Sequence, residues 1–125
     1  MAKRLRVYVA GPCSADNVVG VLKNIGRGER ACAELFRNGL APFCPWHDKT
    51  YAMDAQCEGM TVADFQEHSM AWLEGSQALF CIHGWENSKG TRAEIARAKE
   101  LGIPVFFDML AVLGWAADMN EQANG

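Results

Sequence analysis

The sequence predicts a three-layer α/β fold, Rossmann- or flavodoxin-like, with a small parallel sheet of about four to five strands flanked by helices. Three observations carry that expectation. Short runs rich in β-branched and aromatic residues alternate with longer runs of helical period, the order expected of a parallel sheet covered on both faces. The run ALFCI at 78–82 is apolar throughout, as a central parallel strand should be. Glycines and prolines mark most of the junctions between runs.

The first strand is LRVYVAG, residues 5–11, which stops at Gly11-Pro12. From Asn17 to about Asn38, apolar residues recur at Val18, Val21, Leu22, Ile25, Cys32, Leu35 and Phe36, a helical stripe weakened by Gly26 and Gly28 and stopped by Gly39. LAPFCP at 40–45 reads as a second strand, with Pro42 hinting at an edge. Residues 46–60 show neither period, and a connection that long within a small domain is usually functional or mobile. Thr61 opens a helix that ends at Gly75, and ALFCI follows as the central strand. A loop, HGWENSKG, leads into a helix over 91–102; PVFFD at 104–108 is the last strand. Residues 109–119 form a final helix, followed by a frayed NEQANG tail. Right-handed crossovers favour a flavodoxin-like order around the first strand, which brings loops 11–17, 46–60 and 83–91 together at the carboxyl end of the sheet.

Bulk properties narrow the function classes. A length of 125 residues fits one domain, 1–125, and a composition 50% hydrophobic and 22% charged supports a buried core. A net charge of −3 makes no electrostatic case for a nucleic acid polymer. No apolar run approaches a membrane span, and the run behind the basic start breaks at Gly11-Pro12, too early for a signal sequence. The five cysteines are widely spaced with no CxxC pair, so reduced thiols in a cytoplasm fit better than disulfides or zinc. His47-Asp48 alone is a weak metal signal, and neither a metal nor a cofactor is expected.

The loop GWENSKGTRAE, residues 84–94, holds the chemistry. It runs from a central strand into a helix N-terminus, where free amides and the helix dipole attract anions. Ser88 adds a hydroxyl, Gly90 permits close approach, and Glu94 follows about a turn later; an ordinary acidic first turn is the bland alternative. Gly11, Pro12 and Ser14 form a second small-residue loop, which is neither a P-loop nor GxGxxG.

YVAGP at 8–12, FCPW at 43–46 and GWENSKGTRAE ahead of GIPVF resemble the nucleoside 2-deoxyribosyltransferase superfamily over roughly residues 5–108. Within it the chain is most similar to a small uncharacterised branch and to 2′-deoxynucleoside 5′-phosphate N-hydrolases. The resemblance implies that Glu94, in the pattern Ser88-x-Gly90-x-x-x-Glu94, attacks the anomeric carbon, and that Tyr8 orients it. A carboxylate there can stabilise and trap an oxocarbenium-like state. Family transferases acting on free nucleosides carry aspartate at the Ser88 position. Serine implies a nucleotide 5′-phosphate, which aspartate would repel. An aspartate thought to protonate the leaving base falls near Ser69 here; Asp64 and His68, four apart on the same helix, are candidate substitutes, the alternative for His68 being an ordinary helix-surface or core histidine. Trp46, Trp85 and Asn87 complete the expected substrate contacts; for the tryptophans, stacking on a base and hydrophobic packing at a loop edge or subunit contact are equal expectations.

The implied activity is cleavage or transfer at the N-glycosidic bond of a (deoxy)nucleoside 5′-monophosphate through a covalent glycosyl-enzyme. The alternatives are a non-catalytic nucleotide-binding or sensing module and, more weakly, a glycosidase acting on another sugar phosphate or NAD. The expected partners are a small-molecule nucleotide or nucleoside and, by resemblance, further copies of the chain in a homodimer or larger homo-oligomer. For the helix MLAVLGWAADM, a subunit contact and a cover for the sheet are equal expectations.

Overall fold

The structure, a computed structural model, describes residues 3–124. Arg6–Ala10 forms β1, and its alternation sets the layers. Successive side chains of a strand leave opposite faces, so Val7 and Val9 enter one core cluster while Tyr8 and Ala10 enter the other. Ala41–Phe43 is β2, Ala78–Cys81 is β3 and Val105–Phe106 is β4. All neighbouring strands are parallel in the order β2-β1-β3-β4, with Tyr8 opposite both Phe43 and Leu79. This is the flavodoxin-like order around β1. The direction of winding reverses between β1 and β3, so the ligand crevice belongs above their carboxyl ends.

Two helix pairs cover the sheet. On the Val7 face lie α1, Val18–Arg37, and α5, Met109–Asn124, which contribute Cys32, Leu35, Val112 and Ala116. On the Tyr8 face lie α3, Val62–Glu74, and α4, Lys89–Leu101, which contribute Leu73, Ile95 and Ala98. The Asn17 side chain caps α1 by accepting the Gly20 N–H at 2.8 Å, and Gly39 turns the chain out of that helix at φ +88°.

Several expectations are corrected. The final helix does not fray at 119 but continues to Asn124; Gly125 lies outside the described residues. Through Val112 and Ala116 one face of this helix covers the sheet. The helix expected at 91–102 starts at Lys89, because Ser88 caps it. Residues 46–60 are mostly ordered as a 3₁₀ turn Pro45–Asp48, a short helix α2, Lys49–Ala52, and a second 3₁₀ turn Ala55–Cys57. In α1 Val18 and Leu22 near the start and Phe36 in the last turn are exposed, Ile25 packs partly on the core, and Gly28, Cys32 and Leu35 are buried.

Gly28 therefore has a packing role. Trp46, only 4% exposed, lies with its ring against the Gly28 backbone, where any Cβ would overlap it. The same indole donates its Nε1–H to the Pro12 carbonyl at 3.1 Å. Asn24 of α1 adds bonds to the Cys13 and Ser14 carbonyls at 3.1 and 3.3 Å. The loop after β1 is thus held by α1 and by the segment after β2.

Candidate active site

Helix α4 begins with a pair of hydroxyl residues, Ser88 and Thr91. The Ser88 Oγ accepts the Thr91 backbone N–H at 3.2 Å and the Thr91 hydroxyl at 2.9 Å. Both acceptor positions of Ser88 are then occupied, and its own O–H is left to donate elsewhere. Thr91, Glu94, Ile95 and Ala98 sit at i, i+3, i+4 and i+7, so one face of α4 turns all four toward the sheet. Thr91, Ile95 and Ala98 are buried there. Glu94, in the second turn, meets the strand residue whose side chain leaves the same face: the Tyr8 hydroxyl donates to Glu94 Oε2.

This pair sets its own electrostatics. Burial pushes the Glu94 carboxyl up to about 7, against which the Tyr8 hydrogen bond favours the carboxylate. Burial also drives the Tyr8 phenol well above its ordinary range, reinforced by the Glu94 charge and the bond to it, with the Ser69 hydroxyl pulling the other way. Tyr8 consequently stays protonated and holds the carboxylate in place. A carboxyl poised near neutrality in a cleft has the tuning expected of a catalytic group.

The cleft over the Tyr8–Glu94 pair encloses about 590 Å³, within the ~300–1,000 Å³ usual for small-molecule sites. It brings together Tyr8, Gly11, Pro12, Ser14, Asn87, Ser88, Gly90 and Glu94. The Gly11 backbone packs so closely on Ile82 that a Cβ would overlap that side chain. Along the α4 rim, the Lys89 and Gly90 amides are first-turn groups without a helical acceptor. They stand beside the Ser88 hydroxyl and Lys89, a set of donors that could hold an anion at this end of the cleft.

The family can be read from the sequence as a whole. Residues 5–108 match a family described as Domain of unknown function (DUF7768). The chain belongs to the DUF7768 family. No curated protein matches the chain. Among solved structures it is similar to a 2-deoxyribosyltransferase from the psychrotolerant bacterium Bacillus psychrosaccharolyticus, at 19% identity and a TM-score of 0.56, covering 80% of this chain and 69% of that one. The likeness extends to the parallel sheet and its flanking helices. No described helix of this DUF7768 domain is long and apolar enough to cross a membrane.

Four expected site residues lie elsewhere in the DUF7768 domain. Trp46 does not flank the cleft as a stacking platform; its ring is buried against Gly28, and it supports the Gly11-Pro12 loop from below. Trp85 opens the 3₁₀ turn Trp85–Asn87 and packs on Phe107 with ring centroids 4.8 Å apart, outside the cleft lining. Asp64 is taken up by a capping box: its carboxylate accepts the Thr61 N–H at 2.7 Å and the Thr61 hydroxyl at 2.9 Å. His68 faces the other way along α3, 3.8 Å from Asp48 and edge-on to Tyr51. Phe43, stacked between Tyr8 and Trp72, stands on that side, where a second groove of about 720 Å³ runs.

Sequence reasoning missed the wall that α3 gives the cleft. Apart from Ser69, where the resemblance put the base-protonating position, it is lined by Val62, Phe65, Gln66 and Met70, whose apolar members read as ordinary helix core. Ser69 is on this wall, beside Tyr8. Thr91 was also missed, and here a signal existed: Ser88-x-x-Thr91 is a helix-start spacing in which the third residue's amide reaches the cap.

Proposed function

We propose that this DUF7768 domain cleaves or transfers the N-glycosidic bond of a (deoxy)nucleoside 5′-monophosphate, with Glu94 as the nucleophile. The observation that carries the reading is the Tyr8–Glu94 pair at the floor of a nucleotide-sized cleft. Glu94 in its ionised form attacks C1′ as the base departs, and the resulting glycosyl ester is resolved by water or by a second base. Tyr8 keeps the attacking oxygen aimed and favours its charged form. Ser88, Gly90 and Lys89 at the α4 terminus take the 5′-phosphate.

Free base, read by liquid chromatography, is the product to follow from a panel of nucleoside 5′-monophosphates. Glu94→Gln and Glu94→Ala should abolish its release while nucleotide binding persists, and full activity in either variant removes the mechanism. The second reading is a nucleotide-binding module without turnover, favoured by Ser69 standing in the cleft wall where an acid would assist departure of the base. Under that reading the wild-type protein binds nucleotides and releases no base.

A further inference from the structure

Departure of a base requires somewhere for its electrons to go. A neutral purine or pyrimidine leaves readily only if a proton reaches it, a task for which a positioned acid is worth about 10²–10⁴-fold. Among the described residues, the titratable side chains lining the cleft are Tyr8, Cys13, Lys89 and Glu94. Glu94 has to be ionised to attack, and Tyr8 donates its proton to Glu94. Burial raises the Cys13 thiol above its ordinary range, and Lys89 sits at the anion end of the cleft. Acids and bases nearby are turned away: Asp64 is bound in its capping box, and His68 and Asp48 face each other across the second groove. Opposite Glu94, the α3 wall offers an amide at Gln66, a hydroxyl at Ser69, and the apolar surfaces of Phe65 and Met70.

We propose that this cleft selects nucleoside 5′-monophosphates whose base already carries a fixed positive charge, such as a pyridinium or an N7-alkylated purine. The inference rests on the glycosidase reading above and adds the class of leaving group. Such a base leaves as a neutral molecule and needs no acid. The C1′–N bond breaks with its electron pair passing to the ring nitrogen, while a Glu94 carboxylate oxygen bonds to C1′. Water then attacks C1′, the ester bond to Glu94 breaks, the carboxylate is restored, and the surplus proton of water passes to solvent. The products are free base, sugar 5-phosphate and one proton. In the bound state the cationic ring faces the Glu94 charge and an aromatic wall at Phe65, both of which attract a cation.

The test uses the matched pair guanosine 5′-monophosphate and 7-methylguanosine 5′-monophosphate, together with nicotinamide mononucleotide. Base release is measured as kcat/KM over the background of the Glu94→Gln protein. The methylated member should exceed its parent by about 10²-fold or more, with nicotinamide mononucleotide also cleaved. Ser69→Asp installs a carboxyl group on the wall and should narrow the ratio about tenfold by raising turnover of the neutral base. Gln66→Glu, at an exposed position on the same wall, is the second carrier of that acid. Equal rates for the matched pair, or a ratio unmoved in both folded variants, overturn the preference and leave the glycosidase reading standing. No base released from any of the three nucleotides or from the wider panel overturns both.

Discussion

Replacing Glu94 by glutamine should stabilise the protein at neutral and alkaline pH while ending its chemistry. Burial raises the Glu94 carboxyl from 4.5 to about 7, so between those values the folded protein holds a proton that the unfolded chain has released. Stability contributed by that protonated state is complete below about pH 4.5 and is lost as pH rises through about 7. A displacement of that size corresponds to about 3 kcal/mol at most, at ~1.4 kcal/mol per pH unit. Partial access to solvent lowers it, so a gain of about 1–3 kcal/mol is expected for Glu94→Gln at about pH 8, shrinking to under about 1 kcal/mol near pH 5. Glutamine keeps the shape and still accepts the Tyr8 hydroxyl, so packing is held constant. Urea unfolding of both proteins across this range measures the gap directly. A variant less stable than the parent at about pH 8, or a gap that does not change with pH, would refute the assignment of Glu94 as a buried, strained carboxylate.

Three further outcomes follow from the same geometry. Tyr8→Phe removes the donor that favours the Glu94 carboxylate; a bond to a charged group is worth about 1.5–3 kcal/mol, so the acidic limb of the pH–rate profile, near 7 in the parent, should move up by about one unit, and an unmoved limb would contradict the pairing. Ser88→Asp preserves a good helix cap but sets a negative charge at the anion end; the ratio of kcat/KM for nucleoside 5′-monophosphate over free nucleoside should fall about tenfold or more with little change in thermal stability. Gly28→Ala drives a methyl group into the Trp46 ring, so it should cost about 1–3 kcal/mol in urea unfolding despite the better helix propensity of alanine; a stabilised variant would mean that the indole does not sit there.

How far the site could be read in advance depended on the range of the interactions involved. The β1 and β3 strands, the Asn17 and Gly39 limits of α1, and the loop leading into α4 rest on local pattern, and local pattern is what a sequence displays. Asp64, expected as a catalytic acid, has a local spacing that told against that role: Thr61-x-x-Asp64 is a capping-box pattern that accounts for its carboxylate without any substrate. Trp46 was harder. Its burial depends on a helix glycine meeting an indole from the segment after β2, a contact no single period encodes, although a glycine inside a helical stripe hints at a close neighbour. His68 and Ser69 are adjacent in the chain yet face different grooves, a distinction of one helical step that needs the orientation of α3 against Phe43. The apolar wall at Phe65 and Met70 was hidden for a different reason: a side chain facing a cleft and one facing the core follow the same helical spacing.

The Tyr8–Glu94 contact joins positions 86 residues apart, one on the first strand and the other on the helix that follows the third. Neither half of the chain owns the pair, and no locally collapsed fragment contains it. The pair is therefore assembled only once α4 docks onto the β1–β3 ladder, among the contacts with the longest loops to close, and the proposed chemistry waits on that step. A nascent or partly unfolded copy carries both residues without the contact between them.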